Sequence, residues 1–325
     1  MNTYDVVAYS ASLASDWNHF LNSAKNATFL FHRNFMDYHS DRFSDASLMI
    51  YDNNKLVGLL PANLSDGALY SHQGLSYGGI VVGQKAKFEQ VAGIYKAVLF
   101  YLEQQGTQAF ICKLLPTIYE SYPADESQFL MTALKAQLHK AELSSTIDLG
   151  APLPIQSNRK EGVKKGQKAG LVIKKEKNFE GFWDAVLIPN LKQRHEANPV
   201  HTKEEIAMLA GRFPEKIHQF NVYHKEAIVG GATIFETTTT AHVQYISAIG
   251  DKQQLGTLDF LFEHLITKAF AHKYCFDFGI STIDGGTKIN KGLLYWKECF
   301  GARSTVNLTY KVDPKNHVLL DTFLA

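Results

Sequence analysis

Two nine-residue stretches, IYDNNKLVG at 50–58 and VYHKEAIVG at 222–230, align without a gap at an offset of 172 residues. Tyr51 answers Tyr223, Leu56 answers Ile228, Val57 answers Val229 and Gly58 answers Gly230. Each stretch reads as a hairpin, an apolar run followed by a polar turn and a second strand. The sequence beyond each copy agrees as well: another strand, a glycine-containing turn at Gly83 or Gly250, a long amphipathic helix and an apolar strand. In the two helices Phe88, Val91, Tyr95, Val98 and Leu102 answer Leu255, Leu258, Phe262, Leu265 and Ala269. Spacings of three and four put each set on one helical face. The chain therefore reads as two copies of one mixed α/β unit with a mixed sheet.

The break between copies falls at GAPLPIQSN, residues 150–158, where two prolines and small polar residues interrupt the pattern. Domains 1–150 and 151–325 follow from it. At 325 residues with 45% hydrophobic content, the chain has material for two buried cores. The first unit opens with a helix around Ser12–Lys25, the second with a basic helix and strand. A further helix starts at Thr202, which has Glu205 in capping-box spacing, and ends before Pro214.

No apolar run approaches the roughly 20 residues that span a bilayer, and MNTYD is too polar to open a secretory leader. A cytoplasmic protein without membrane insertion is expected. The three cysteines, Cys112, Cys275 and Cys299, are scattered, and two lie in strands, so reduced and mostly buried thiols are expected. The thirteen histidines form no HExxH; Asp37, His39 and Asp41 read as a solvated helix end, and no metal is expected. A net charge of +1 gives no global argument for nucleic acid. Residues 158–177, NRKEGVKKGQKAGLVIKKEK, nevertheless gather Arg159, Lys160, Lys164, Lys165, Lys168, Lys174, Lys175 and Lys177 against Glu161 and Glu176. Such an excess holds phosphates or forms a solvated face.

GDKQQLGTLDFL, from Gly250, places two glycines around a polar turn between a strand and a helix. The first amides of a helix lack internal partners and favour anions, and Gly256 permits close backbone approach to a pyrophosphate. The order hairpin, strand, Q-x-G-type turn, helix, strand, helix and strand resembles the GNAT N-acyltransferase fold. A tandem pair of such units resembles the Fem-type (FemAB-like) bacterial transferases. DFGIS at 277–281 and NKGLLYWKECFG at 290–301 are similar to the Fem-like closing pattern, and HQGLSYGG at 72–79 resembles a glycine-rich strand of the same proteins. The resemblance implies acetyl-CoA or another acyl-CoA as donor, held by Gly250, Gln254, Leu255, Gly256 and Thr257, with Asn290 from the closing motif. The first copy has GQKAKFEQ in place of the Q-x-G turn and is read as a degenerate half that shapes the acceptor cleft, with His72 and Tyr77 on the substrate side.

Transfer to an amine needs no covalent intermediate; it needs donor and acceptor held together, a base, and a donor to the developing oxyanion. In AHVQYISAIG alternation puts His242 and Gln244 on one face and Tyr245 on the other. Tyr245 is the expected cleft-lining catalytic residue, and His242 a substrate-side residue or base. Asp277 is the only charge in YCFDFGIS, so it either meets a cation or is held with a raised pKa. Lys297 occupies the place where the resemblance implies an electrostatic role toward the oxyanion.

These readings point to an acyl-CoA-dependent N-acyltransferase acting on an amino group of a sugar, a cell-envelope precursor or a small metabolite, with a small-molecule or nucleotide-linked acceptor. A Fem-like aminoacyltransferase using aminoacyl-tRNA on a peptidoglycan precursor, with the basic segment near the tRNA, stays open. So does a non-catalytic GNAT-like binding module. The sequence leaves acceptor, acyl group and oligomeric state open.

Overall fold

The computed structural model of the chain describes residues 4–195, 198–250 and 252–323. The chain forms two compact units, the first made of Met1–Glu142 with Val306–Ala325 and the second of Leu143–Thr305. In place of a single cut at residue 150, the chain passes between units twice.

In unit 1, β1 (Asp5–Ala8), β2 (Leu48–Asp52), β3 (Lys55–Leu60) and β6 (Val81–Val82) form one antiparallel sheet. The second pair of strands is interrupted: β4 (Asn63–Ser65) and β5 (Ala68–Tyr70) continue apart from it. The β2–β3 turn places Asn53 and Asn54 at φ 47° and 65°, left-handed geometry that asparagine tolerates and tight hairpins require. Helix α1 (Phe88–Gln104) lays Val91, Ile94, Tyr95, Val98 and Leu102 into a core shared with Ile50, Leu60 and Val82. β7 (Ala109–Lys113) runs parallel to β5 and pairs antiparallel with residues 309–312, which return from the end of the chain. Helix α2 (Glu126–Ala133) closes the unit.

Unit 2 repeats the plan. Residues 144–148 of β8 (Gln137–Asp148) are followed by α3 (Ser157–Lys168), β9 (Val172–Glu176), α4 (Lys203–Arg212), β10 (Ile217–His224), β11 (Ala227–Glu236) and β12 (Thr240–Ala248). Then come α5 (Thr257–His264), β13 (Cys275–Ile280), α6 (Lys291–Glu298) and residues 303–305 of β14 (Arg303–Val312), whose remainder belongs to unit 1. β9 to β12 pair antiparallel in sequence order, β13 runs parallel to β12, and 144–148 pair antiparallel with β13. The repeated hairpins agree in detail. Ile50 pairs with Gly58 and Tyr51 with Leu56, with a bulge between Ile50 and Tyr51; Val222 pairs with Gly230 and Tyr223 with Ile228, with a bulge at the same place.

Thr202 and Glu205 form the expected capping box, and α4 ends at Arg212 with Phe213 as its cap. The opening helix is shorter than its pattern suggests: a 3-10 turn over Ala11–Leu13 leads into an α-helix over Ala14–Leu21 only. Among the described residues no helix is long and apolar enough to cross a membrane, and no group of three or more His, Cys, Asp and Glu is placed to hold a metal. Asp37 is drawn onto Arg33, while His39 turns inward against Phe43 and His72. Cys112 and Cys299 are buried and Cys275 is half-buried, all as free thiols.

Candidate active site

β12 and β13 stay paired at three positions, Thr240 with Cys275, Ala241 with Phe276 and His242 with Asp277. Beyond them β12 continues along β11 to Ala248, while β13 follows β8 to the pairing of Ile280 with Ser144. Both strands change register where they part. In β12 Thr233 pairs with Tyr245 and Ile234 with Val243, so Gln244 is the extra residue of a bulge. In β13 the shift lies between Asp277 and Ile280 and is centred on Gly279, whose φ of +75° a side chain would strain. The result is a notch whose β12 edge, from Val243 to Ala248, has no ladder partner on the β13 side among the described residues.

Gly279 ties together the groups at the notch. Its amide donates to Asp277 Oδ1 at 2.9 Å, its carbonyl accepts from Lys297 Nζ at 2.7 Å, and a Cβ there would sit 3.4 Å from His242 Cε1. Asp277 is 3% exposed, and Ser144 Oγ donates to its Oδ1 at 2.7 Å while Oδ2 lies 2.8 Å from His242 Nδ1. A buried carboxylate with three such neighbours is compensated for its lost hydration. Of the two readings open in the sequence, the partner is an imidazole.

Lys297 is not an exposed helical lysine. It is 3% exposed, and Nζ donates to the carbonyls of Gly279 at 2.7 Å and Ile280 at 2.8 Å. Burial brings its ammonium down to about 8, against a pull upward from Asp277. The lysine thus fastens the backbone where β13 has left its ladder.

Tyr245 goes elsewhere. Its hydroxyl accepts from His201 N at 3.1 Å and lies 2.6 Å from His201 Nδ1, and its ring meets Trp183 edge-on at 5.0 Å. Burial raises the phenol to about 12. The bulge at Gln244 upsets the simple alternation used to place Tyr245, and its hydroxyl is spent on His201 rather than on the His242–Asp277 pair.

At the turn after β12, Gly250 and Gln254 are exposed and Leu255 is half-buried, whereas Gly256 and Thr257 are buried. Gly256 (φ +68°) does not make room for a ligand: a Cβ there would lie 2.0 Å from the carbonyl oxygen of Gly162 in α3. Its missing side chain serves helix-to-helix contact, continued by Gly166, where a Cβ would lie 2.8 Å from Phe260 Cβ. Asn290 caps α6, its Oδ1 accepting from Leu293 N at 3.0 Å. His72 and Tyr77 lie in the interior of unit 1. His72 Nδ1 accepts from Gly74 N at 3.2 Å, and the Tyr77 hydroxyl donates to Thr28 Oγ1 at 3.1 Å. Neither presents a side chain on an open surface. Ser144 and Gly279 were not among the expected site residues. The distant Ser144 carries no local signal, whereas the glycine two residues after a lone strand carboxylate is one.

No protein-family model matches this sequence, and no curated protein matches it. Solved structures do share the fold. FemX is 9% identical with a TM-score of 0.64, over 95% of this chain and 97% of that one. L-PGS from Bacillus licheniformis is 12% identical with a TM-score of 0.60, over 94% and 95%. A tandem GNAT protein from the clavulanic acid biosynthesis pathway is 11% identical with a TM-score of 0.51, over 96% and 99%. The chain has the tandem, Fem-like GNAT fold.

Proposed function

We propose that the protein is an N-acyltransferase that passes an acyl group from acyl-CoA directly to a primary amine at the notch of unit 2. The observation that carries this reading is the parting of β12 and β13 immediately after the His242–Asp277 pair. The β12 edge from Val243 onward offers main-chain donors and acceptors to an extended ligand, and the two amides of a pantetheine arm pair with such an edge as an added strand does. That alignment brings the thioester to the end of the ladder. Exposed Gln254 and the turn from Gly250 serve the phosphates.

His242 is the base in this scheme. With Nδ1–H directed at Asp277, the other ring nitrogen is the basic one, and it takes a proton from the substrate ammonium, freeing the lone pair of the neutral amine that attacks. The amine nitrogen bonds to the thioester carbonyl carbon, the C–S bond breaks, and the thiolate leaves with the proton that the acylated nitrogen gives up. Lys297 positions the Gly279–Ile280 backbone and adds positive charge near the developing oxyanion. The test is thiol release from acetyl-CoA and longer acyl-CoAs against a panel of primary amines, amino sugars and nucleotide-linked amino sugars. Absence of amine-dependent thiol release with every donor ends this reading.

Aminoacyl-tRNA as donor is a second reading. Its support is the row of lysines Lys160, Lys164, Lys165 and Lys168, all exposed on α3. A filter-binding titration with tRNA separates the two.

A further inference from the structure

β8 and β13 run in register from Asp148 opposite Cys275 to Thr146 opposite Asp277, and then slip. The next rung joins Ser144 to Ile280, so Phe278 and Gly279 together span the space across from Ser145 alone. Thr146 and Ser144, two apart on one strand, both turn a hydroxyl to Asp277. The diagonal neighbour makes the closer contact. Ser144 Oγ donates to Oδ1 at 2.7 Å, whereas Thr146 Oγ1 stands 3.5 Å from that oxygen and 2.9 Å from Thr305 Oγ1 on β14. Ser144 is 1% exposed.

The slip delivers a second donor to the same oxygen. The Gly279 amide reaches Oδ1 at 2.9 Å from a backbone with φ of +75°. One carboxylate oxygen is thus bound by two short hydrogen bonds, while the other lies 2.8 Å from His242 Nδ1. The Lys297 ammonium of α6 and the Cys275 thiol of β13 also face this carboxylate, and Asp148 of β8 lies beside the thiol.

We propose that Ser144 is a positioning residue of the transfer, holding Asp277 ionised and aimed so that His242 keeps its proton on Nδ1 and offers the other ring nitrogen to the amine. It acts through Asp277 and touches no reacting atom. The inference rests on the proposed reaction, in which His242 is the base. In the working state the pair is an ionised carboxylate beside a neutral imidazole, and taking up one proton neutralises it. A hydrogen bond to the ionised carboxylate favours the charged pair. Loss of the Ser144 hydroxyl therefore lets the pair take its proton at higher pH, which removes the base there. Lys297, Cys275 and Asp148 are the same in parent and variant, so the difference between the two reports Ser144.

Steady-state kinetics on the full chain across pH, with the best acyl-CoA and amine, test this. Ser144→Ala is expected to lower kcat by about tenfold on the alkaline side, the worth of one hydrogen bond to a charged group, and to move the acid limb of kcat/KM up by about one pH unit. KM for acyl-CoA should stay near that of the parent. Ser144→Thr keeps the hydroxyl and should bring back rate and limb together, with thermal melts showing both variants folded. A second readout needs no turnover. Nitrogen-15 shifts of the His242 ring, assigned by their loss in His242→Gln, should report the Nδ1–H tautomer in the parent and a mixture of tautomers in Ser144→Ala. A lower rate in Ser144→Ala with the limb and the ring shifts unmoved, as packing alone would give, overturns the inference, and so does a variant that behaves as the parent does. If the parent releases no thiol with any amine, the proposed reaction falls and the inference with it; an active parent with an unmoved limb in Ser144→Ala removes Ser144 alone.

Discussion

His242 and Asp277 face each other on the last rung of the parallel ladder between β12 and β13, with Nδ1 2.8 Å from Oδ2. The pairing is fixed by a third strand and by the backbone of β13 itself. Ser144 and the Gly279 amide hold the other carboxylate oxygen, so Asp277 is aimed before any ligand arrives.

An aimed carboxylate keeps its histidine in one tautomer, and the variants should separate that role from packing. His242→Gln and Asp277→Asn are each expected to lower kcat by about 10²–10⁴-fold, the usual contribution of a positioned base. KM for acyl-CoA should change little. Steady-state kinetics on the best amine check this, and a double variant no worse than either single one is expected if the two act as a unit. Full activity in His242→Gln would remove the histidine from the chemistry.

Lys297 should matter first to the fold. Lys297→Met leaves the Gly279 and Ile280 carbonyls without this donor; Ile280 is exposed and its carbonyl can turn to water, so the cost is that of about one unpaired group, about 1–3 kcal/mol. Urea unfolding should show a loss in that range. A midpoint equal to the parent would mean that water or another side chain replaces Nζ.

How much of this was legible beforehand varies residue by residue. The hairpin repeat carried the architecture because register and bulge position follow from local turn chemistry and apolar pattern, and both recur around Tyr51 and Tyr223. Asp277 and Lys297 stood out as charges in or beside apolar runs, but their partners did not. Ser144 arrives from a strand 133 residues away, and the contact with His242 depends on where a ladder stops. Gly256 misled for a physical reason. A glycine at a helix start serves a phosphate or a crossing backbone equally well, and only the position of Gly162 distinguishes them. The return of residues 306–325 to unit 1 has no local signature at all.

The Gly256 contact yields a stability prediction. Gly256→Ala places a methyl in the Gly162 carbonyl and imposes φ +68° on a residue with a Cβ, which alone costs roughly 1–2 kcal/mol. Separation of α3 from α5 adds to that, so a clear drop in Tm is expected. Gln254→Ala, in the exposed part of the same turn, should leave Tm unchanged and weaken CoA binding in a thermal-shift titration. CoA binding unaffected by Gln254→Ala would detach the phosphates from this turn.

The lysines of α3 give a test of the donor. If tRNA is bound there, affinity should fall steeply with salt, because each neutralised phosphate releases counterions. Neutralising Lys164, Lys165 and Lys168 together should flatten the dependence of log K on log salt by about 2–3 units of slope. No tRNA binding at low salt leaves acyl-CoA as the donor.

Acid sensitivity is the last prediction, and it concerns unit 1. His39 and His72 are 1% and 4% exposed, their rings 5.0 Å apart, and neither ring nitrogen of His39 has a hydrogen-bond partner. Burial brings His39 down to about 4 and His72 to about 3, each also opposed by nearby cations: Arg42 and Arg33 for His39, and His39, Arg33 and Lys113 for His72. Asp41 and Asp45 offset this only in part. A histidine whose folded pKa is depressed binds its proton in the unfolded chain first. Stability therefore falls as pH drops below about 6.5, the unfolded value, and continues to fall toward the folded values. Urea midpoints at pH 7 and pH 5 should differ markedly, with a slope approaching two protons. His39→Phe keeps an aromatic ring among Tyr38, Phe43 and His72, and His72→Asn suits the left-handed φ of 70° at that position. Either change should remove roughly half of the acid dependence, read as protons taken up on unfolding. An unchanged pH profile in both variants would show that the acid limb belongs to other groups.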